Sequence, residues 1–432
     1  MTAEIVIVGG GAGGLELATK LGRRMGRRGE ARVTLVDRSP THIWKPLLHE
    51  VASGAMDSSV DQISYRAVAR HRGFHFVLGE FAGLDREAQT ITLNAIIDED
   101  GHTILPERRL PYDYLVLAIG SITNDFGIPG VRRHCQFLDS PDQAQHFHQN
   151  FLNTLMRVNS QRDSDPEACA RIPIVGGGAT GVELAAELVH AAETVHEYGF
   201  SHADRSMLRI TLLEAGPRLL PALPERISRD TLRELRELGV DVRLDARITE
   251  AREDALVDQD GSEIPGDIMV WAAGVQGPPL MEKLDGLSLQ PNRMVKIAAT
   301  LQSVDDPHIF ALGDCAACPQ EQGFVPPRAQ SAHQMADHLV GNLRRARQGR
   351  DLKAFQYQDY GSLVNLSQYS AVGTLMGGTS KGSLRVEGRL ARLVYISLYR
   401  MHQIAVFGWF RGLLMALTDR LHRAFKPKMK LH

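Results

Sequence analysis

The chain has 432 residues, which is too long for one ordinary hydrophobic core and predicts two or three domains. A formal net charge of −2 gives no electrostatic reason to expect nucleic acid as a partner, and four cysteines are too few for a disulfide framework, which favours a reducing compartment. The first residues do not read as a signal peptide, and no run of about 18 apolar residues predicts a spanning helix.

The first predicted unit is a strand at 4–8, a glycine turn, a helix to about residue 25 and a second strand at 32–37. Its turn, GGGAGG, has glycines spaced G-x-G-x-x-G, the dinucleotide-binding fingerprint, whose glycines allow a tight turn and close approach to a pyrophosphate. Asp37 ends the second strand, where it is placed to accept hydrogen bonds from ribose hydroxyls. The turn residues assigned to this site are Gly9, Gly11, Ala12, Gly13 and Gly14.

A second unit of the same kind begins with the strand at 171–175 and ends at Glu214. Its fingerprint glycines are Gly176, Gly178 and Gly181. A carboxylate at the ribose position repels a 2′-phosphate, and no arginine immediately follows Glu214, so NADH is favoured over NADPH. The long interval between Gly181 and Glu214 predicts an insertion near 196–207.

Two fingerprints in one chain indicate hydride exchange between two dinucleotides, a bound flavin (FAD) and a diffusing NADH. The strand at 308–314 ends in Gly313-Asp314, and in two-dinucleotide flavoproteins, which this layout resembles, that aspartate holds the flavin ribitol. An N-cap role for Asp314 is a compatible alternative. The predicted fold is α/β with two Rossmann-like domains. The expected parts are an FAD domain at 1–125 and 292–346, an inserted NADH domain at 126–291, and a C-terminal region at 347–432.

The electron acceptor has two candidates in the sequence. Cys315 and Cys318 form a CxxC pair, for which small structural residues are the first interpretation, a metal site the second and a reactive thiol pair the third; no metal ligand set is predicted. Cys135 and Cys169 stand alone, so no redox disulfide is expected where disulfide reductases carry theirs.

The other candidate acceptor is a lipid-soluble quinone, and the end of the chain favours it. Residues 389–432 contain nine Lys or Arg and one acid, giving this tail +8 and the rest of the chain −10. Apolar residues recur every three or four positions from Leu390 to Leu421, which predicts a pair of basic amphipathic helices lying on an anionic membrane. A core-packing or dimer-forming helix is the alternative interpretation.

These motifs together resemble the type II NADH dehydrogenases, the single-subunit, non-proton-pumping NADH:quinone oxidoreductases of bacterial membranes. The resemblance is carried by the segments GGGAGG (9–14), HIWKPLLHE (42–50), GGGATGVELAAEL (176–188), WAAGV (271–275), ALGDCA (311–316), AQSAHQ (329–334) and the basic end KPKMKLH. It implies bound FAD, NADH as donor, ubiquinone or menaquinone as acceptor, and a homodimer peripheral to the cytoplasmic face of the inner membrane.

The predicted sites follow from both arguments. The remaining FAD residues are Lys45, Gly120, Asp314 and Ala329, and the remaining NADH residues are Thr180, Glu183 and Gly274. Glu183 is expected near both rings, where it would help NADH binding or proton movement, although an acid near a helix start is also favoured by the helix dipole alone. Lys381 is a weaker match, for which a solvated lysine is the alternative.

The stretch RAQSAHQ at 328–334 supplies the predicted quinone site. A helix starting near Pro327 places Gln330 and Gln334 on one face, beside a stripe of small and apolar residues. Neutral amides can donate to quinone carbonyls without placing a charge beside a flavin. The alternative is two solvated amides.

Three other functions compete with this one. A sulfide:quinone oxidoreductase needs catalytic cysteines and has little use for a second fingerprint, and a ferredoxin reductase has no need of a basic amphipathic end. An NADH-sensing flavoprotein acting through a partner remains the alternative from another class.

Overall fold

The structure is a computed structural model, and it describes residues 2–200, 202, 204–284, 286–321, 323–366, 370–376, 383–425 and 430. Lys381 lies outside these residues, as do most positions of the KPKMKLH end.

A five-stranded parallel sheet forms the core of the first nucleotide unit. Its strands lie in the spatial order Ile309–Ala311, Tyr114–Leu117, Ala3–Val8, Ala31–Asp37 and His75–Leu78. Because both faces are covered, the central strands are apolar runs, and Ile5, Ile7 and Leu35 are fully buried. The helix Ala12–Arg24 packs against the later helix Ala329–Arg347.

A second five-stranded parallel sheet repeats this arrangement. Its strands lie in the order Cys135–Gln136, Met269–Trp271, Ala170–Val175, Leu208–Leu213 and Asp241–Arg243. Its helices are Val131–His134, Pro141–Gln161, Ala179–Val195 and Glu225–Glu237. In sequence, this sheet falls between the strands Tyr114–Leu117 and Ile309–Ala311 of the first, and the predicted α/β fold class with two Rossmann-like units is confirmed.

Smaller elements surround the two sheets. Two of them are three-stranded antiparallel sheets, one of Phe81–Asp85, Thr90–Leu93 and Arg108–Pro111, the other of Ile248–Ala251, Ala255–Asp258 and Glu263–Pro265. Three antiparallel pairs join Ile96–Ile97 with Thr103–Leu105, Thr41–His42 with Ile63–Ser64, and Ile122–Thr123 with Val275–Gln276. The strands Val295–Lys296 and Ala316–Ala317 pair in parallel. The remaining short helices are Leu48–Ser53, Ser58–Asp61 and Tyr65–Arg72.

Single 3-10 turns occur at Gly26–Arg28, Lys45–Leu47, His196–Tyr198, Arg205–Met207, Pro279–Lys283 and Gly313–Cys315. Two of them lie within the predicted insertion at 196–207, directly after the helix Ala179–Val195 ends.

The C-terminal region is an antiparallel sheet followed by a helical hairpin. The strands are Gly361–Leu366, Ser370–Met376 and Ser383–Glu387, and the helices are Gly388–Phe407 and Trp409–Phe425. Gly408, with φ of +84°, makes the turn between them. Within the part of the chain that the structure describes, no helix combines the length and the apolarity needed to cross a membrane.

The hairpin carries a row of exposed large apolar side chains. They are Met401, Ile404, Trp409, Phe410, Leu413, Leu414 and Leu417, with exposed fractions from 38% to 70%. All of them except Trp409 belong to the apolar stripe predicted from the sequence, so this part of the stripe is on the surface.

Candidate active site

One large cavity is lined by residues of both nucleotide units, and its volume is about 2180 Å³. A pocket for one drug-sized ligand has about 300 to 1,000 Å³, so this cavity has room for more than one such ligand. Most predicted site residues line it, namely Gly9, Gly11, Ala12, Gly13, Asp37, Lys45, Gly120, Gly178, Thr180, Glu183, Asp314, Ala329, Gln330 and Gln334. Those outside the lining are Gly14, Gly176, Gly181, Glu214 and Gly274.

The first glycine turn has the geometry that a pyrophosphate requires. An added Cβ at Gly14 would collide with the Gly9 carbonyl oxygen, so only glycine lets helix and turn pack this closely. At Gly11 an added Cβ would meet nothing within 4 Å, because this position faces the cavity. No side chain caps the helix at Gly11, which leaves its N-terminal N–H groups and dipole for an anion.

The second glycine turn repeats this geometry. A Cβ at Gly181 would collide with the Gly176 carbonyl oxygen, whereas one at Gly178 would meet nothing within 4 Å. The helix Ala179–Val195 also begins without a side-chain cap. The residues therefore fit one dinucleotide at each turn.

The two predicted ribose-binding acids are held by backbone N–H groups. Gly10 N donates to Asp37 Oδ2 over 2.6 Å, and Gly177 N donates to Glu214 Oε2 over 2.7 Å. Burial raises the pKa of Asp37, and hydrogen bonds from the backbone of Ser39 and Gly10 oppose the rise. Each acid is thus fixed at the edge of its own glycine turn.

Lys45 and Asp314 bring three segments together beside the cavity. Lys45 Nζ donates to the Ser121 carbonyl over 2.8 Å, and Ser121 Oγ donates to Asp314 Oδ2 over 2.9 Å. Asp314 lies within the 3-10 turn Gly313–Cys315, which follows a strand of the first sheet. The flavin-ribitol role assigned to Asp314 stays a prediction.

Two further glycines end strands near the cavity. Gly120 has a φ of +71° and Gly274 a φ of +70°, values that favour glycine. A Cβ at Gly120 would meet nothing within 4 Å, whereas one at Gly274 would collide with the ring of Phe126. The absence of a side chain at Gly274 therefore leaves room for the ring of Phe126.

Glu183 is buried where the second helix meets the cavity. Its side chain is 6% exposed, and Asn365 N donates to its Oε1 over 3.0 Å. Burial raises the pKa of Glu183 to about 8, helped by the nearby acids Glu50 and Glu187. This shift favours the protonated carboxyl group at neutral pH.

The first unit contains a buried ionic cluster that the sequence did not reveal. Glu16 accepts from His402 Nδ1 over 2.8 Å and from His333 Nδ1 over 2.6 Å, and it pairs with Lys20 Nζ at 3.0 Å. Burial alone would raise the pKa of Glu16, but the two histidine hydrogen bonds outweigh it and hold the pKa far below its usual range. His402 lies on the helix Gly388–Phe407, so the cluster ties that helix to the first nucleotide unit.

The cluster continues from His402 to the cavity wall. His402 Nε2 lies 3.1 Å from His42 Nε2, and the rings of His402 and Trp44 have centroids 4.2 Å apart. Burial lowers the pKa of His42 to about 3. His42 is therefore neutral, and its Nε2 faces that of His402.

Gln330 and Gln334 line the cavity but are not free. Gln330 Nε2 donates to Asp359 Oδ1 over 3.2 Å and to the Gly361 carbonyl over 3.0 Å, and Gln334 exchanges two backbone hydrogen bonds with Gln358. They hold the segment 358–361 against the helix Ala329–Arg347. The sequence shows the spacing of the two amides but not this partner segment, and their quinone role stays a prediction.

Cys315 and Cys318 lie in the core. Both are fully buried, and burial raises the pKa of each thiol to about 11. Cys315 Sγ lies 3.4 Å from the carbonyl oxygens of Leu117 and Leu312. Packing, the first of the three interpretations, agrees with this environment.

Comparison with known protein families gives one matching model. It is the pyridine nucleotide-disulphide oxidoreductase family, matched over residues 3–336. Among curated relatives, the type II NADH:quinone oxidoreductase of Haemophilus influenzae is 47% identical and covers 99% of this chain and 100% of its own. The Ndh protein of Mycobacterium tuberculosis, which has the same description, is 29% identical over 93% of this chain and 84% of its own.

Solved structures share the fold across nearly the whole chain. NDH2 from Plasmodium falciparum in complex with NADH has a TM-score of 0.79 at 20% identity and covers 96% of this chain and 98% of its own. The sulfide:quinone oxidoreductase of Aquifex aeolicus has a TM-score of 0.73 at 18% identity, covering 94% and 92%.

These structures establish the architecture but do not separate the rival functions, because at such identities likeness shows the fold alone. The full-length sequence relative does separate them. By that similarity and by its two glycine turns facing one cavity, the chain belongs to the type II NADH:quinone oxidoreductases.

Proposed function

We propose that this protein oxidises NADH through bound FAD and reduces a membrane quinone by two electrons, without pumping protons, in a respiratory chain. The observation that carries the proposal is the pair of uncapped glycine-turn helices, at Gly11 and Gly178, which face one cavity. Two dinucleotides bound there would meet between the two units.

FAD would be held by the first unit and NADH by the second. The glycine turn at 9–14, Asp37, Lys45, Gly120 and Asp314 would hold FAD, with Ala329 beside the ring. The turn at 176–181, with Thr180, Glu214 and Gly274, would hold NADH. Bound FAD would supply the two-electron redox chemistry, and no nucleophilic side chain is needed.

The net reaction, NADH + H⁺ + quinone → NAD⁺ + quinol, consumes one proton. Glu183 is a suitable donor because its raised pKa favours the protonated form at neutral pH and because it lines the cavity. A general acid works best when its pKa lies near the working pH. We therefore propose Glu183 as the proton donor.

The quinone, ubiquinone or menaquinone, would enter where the helix Ala329–Arg347 begins. Gln330 and Gln334 hold the segment 358–361 there, and Tyr360, 49% exposed, also lines the cavity. The amides can shape this wall as well as donate to a quinone carbonyl. Replacing either by alanine would release the segment and raise the KM for quinone, and unchanged quinone kinetics in both variants would reject the assignment.

Membrane adsorption is proposed through residues 389–432. Each basic residue near an anionic surface contributes roughly 1 kcal/mol, and complete burial of a large apolar side chain contributes roughly 1.5 to 3 kcal/mol. The exposed row from Met401 to Leu417 could supply several such contributions without a spanning helix. The cytoplasmic face of the inner membrane and a homodimer remain predictions.

The decisive measurement is steady-state NADH oxidation with and without a soluble quinone, compared with NADPH. Oxidation of NADH that accelerates strongly on addition of quinone supports the proposal. Slow oxidation that quinone does not change would refute it and favour the NADH-sensing alternative.

The membrane proposal is best tested on the hairpin surface. Deleting residues 389–432 would also remove His402 from Glu16, so the combined change Leu413→Gln, Leu414→Gln and Leu417→Gln is cleaner. We expect loss of co-sedimentation with anionic vesicles and retained reduction of soluble quinone. Unchanged vesicle binding would refute the assignment of this face.

A further inference from the structure

His49 lies directly beside Glu183. It belongs to the helix Leu48–Ser53, its side chain is 2% exposed, and its Nδ1 is 3.6 Å from Glu183 Oε2. This distance is just too long for a hydrogen bond to a protonated carboxyl group. A hydrogen bond to a carboxylate is about 2.8 Å long, so a shift of about 0.8 Å would form one.

The other groups that face Glu183 do not favour its charged form, apart from one N–H. Glu50, on the same helix as His49, and Glu187, one turn along the helix of Glu183, both raise its pKa. Asn365 N, from the strand Gly361–Leu366, donates to Oε1 and lowers it. Among the described residues, His49 is the side chain placed to stabilise the second carboxylate oxygen.

His49 is itself neutral and incompletely bonded. Burial lowers its pKa to about 4, against the smaller opposing effect of a hydrogen bond to the Pro46 carbonyl, which Nδ1 makes because Nε2 has no partner among the described residues. Its Nε2 is buried without a hydrogen-bond partner among the described residues, although the side chain lines the cavity. The contact with Pro46 gives Nδ1 a structural role but leaves Nε2 unsatisfied, and an unsatisfied buried nitrogen costs stability.

We propose that His49 is a positioning residue that allows Glu183 to deliver the reaction's proton. This inference rests on the proposed function. The proton leaves the Glu183 carboxyl group for a quinone oxygen, and the carboxylate then lies between the Asn365 N–H and the His49 Nδ1–H, which it shares with the Pro46 carbonyl. A proton from solvent restores the carboxyl group, while His49 keeps its single proton and is neither oxidised nor consumed.

The test is a pH titration of the Glu183 carboxyl group by infrared spectroscopy of the resting, FAD-loaded enzyme, with E183Q used to assign the band. In wild type we expect the band to titrate near pH 8. In His49→Leu the midpoint should rise by about one pH unit, because the carboxylate has lost a donor. In His49→Gln, which keeps an N–H, the midpoint should return close to wild type.

Turnover should follow the same groups. In His49→Leu the alkaline limb of the plot of kcat against pH should move to higher pH, and kcat should fall about tenfold. Both changes should be reversed in His49→Gln. His148→Leu is the matched control, because His148 is also buried and packs against the same helix, where its ring contacts the Ala52 carbonyl. It should move neither the infrared midpoint nor the alkaline limb.

Two results would overturn the role of His49. One is an unmoved infrared midpoint in His49→Leu, and the other is an equal shift in His148→Leu. Failure of the proposed function looks different, because the wild-type enzyme would then lack quinone-dependent NADH oxidation whatever the infrared midpoint does.

Discussion

Glu16 and Glu183 occupy the same position in the two copies of one motif, GGGAGGLE at 9–16 and GGGATGVE at 176–183. Both follow the helix-opening glycine by five residues, and both are buried. Their pKa values nonetheless shift in opposite directions, because that of Glu16 is held far below its usual range while that of Glu183 rises to about 8. A shared local motif and the same place on a helix do not set the ionisation of a buried acid.

The difference arises from the partners that the rest of the chain supplies. Glu16 receives hydrogen bonds from His333 and His402 and a salt bridge from Lys20, whereas Glu183 has one backbone N–H and a neutral imidazole that does not quite reach it. The first acid therefore joins elements of the fold. The second is left able to exchange a proton.

The largest expected effect separates the two acids by stability. Glu16→Leu should lower the free energy of unfolding by about 3 to 5 kcal/mol, because it leaves buried donors without their acid. Glu183→Leu should cost only about 1 kcal/mol, since it removes a neutral group with one hydrogen bond. Urea denaturation followed by tryptophan fluorescence measures both, with Glu16→Gln as the milder variant if Glu16→Leu does not fold. Equal losses would contradict the comparison.

The next effect separates them by catalysis. Glu183→Gln should reduce kcat with quinone about 100-fold, which is about 2.7 kcal/mol, because the amide cannot supply the proton. Reduction of bound flavin by NADH alone, followed by stopped-flow absorbance, should change little. Glu16→Gln should keep kcat within about twofold of wild type, and a comparable fall there would show that the assignment of the two roles is wrong.

A smaller effect separates the two glycine turns by ligand. Gly11→Ala and Gly178→Ala both place a methyl group in open cavity space, so both proteins should fold. The first should weaken FAD retention and the second should raise the KM for NADH, each about tenfold or about 1.4 kcal/mol. Flavin content after gel filtration and steady-state kinetics measure them. If instead Gly178→Ala weakens FAD retention and Gly11→Ala raises the KM for NADH, the two dinucleotide sites have been assigned the wrong way round.

The smallest effect is the pH dependence of stability, at most about 1.4 kcal/mol per pH unit for each group. Because the folded pKa of Glu16 is depressed, its contribution is present above the unfolded value near 4.5 and is lost as pH falls below it. Because that of Glu183 is raised, its contribution is present below 4.5 and is lost as pH rises toward about 8. In Glu16→Gln, Tm should depend less on pH below 4.5, and in Glu183→Gln it should depend less on pH between 4.5 and about 8. Unchanged pH dependence of Tm in both variants would contradict both pKa shifts.

The sequence predicts what depends on neighbouring residues. Both glycine turns, their strands and the ordering of Asp37 and Glu214 at the strand ends follow from spacing, and the exposed hairpin stripe follows from helical periodicity. The shared glutamate of the two motifs was also visible, and comparing the copies position by position would have identified Glu16.

What the sequence could not predict are contacts between distant segments. The partners of Glu16 are 317 and 386 residues away, and the partner of Glu183 on the C-terminal strand is 182 residues away. The sequence predicts that Gln330 and Gln334 offer their amides to a quinone, and nothing in RAQSAHQ indicates that the segment 358–361 binds them. Such contacts depend on how the sheets and the C-terminal region assemble, and periodicity contains no information about that.

The pairing of Glu16 with His402 also sets an order of events during synthesis. At about 5 to 20 residues per second, the 386 residues between them take roughly 20 to 80 s to make. Through that interval the first glycine turn is already made, but the acid behind it has no histidine from the hairpin. The first nucleotide unit therefore gains this contact only after residue 402 has been made, and a nascent chain that stops short of it is left with a buried acid missing one of its partners.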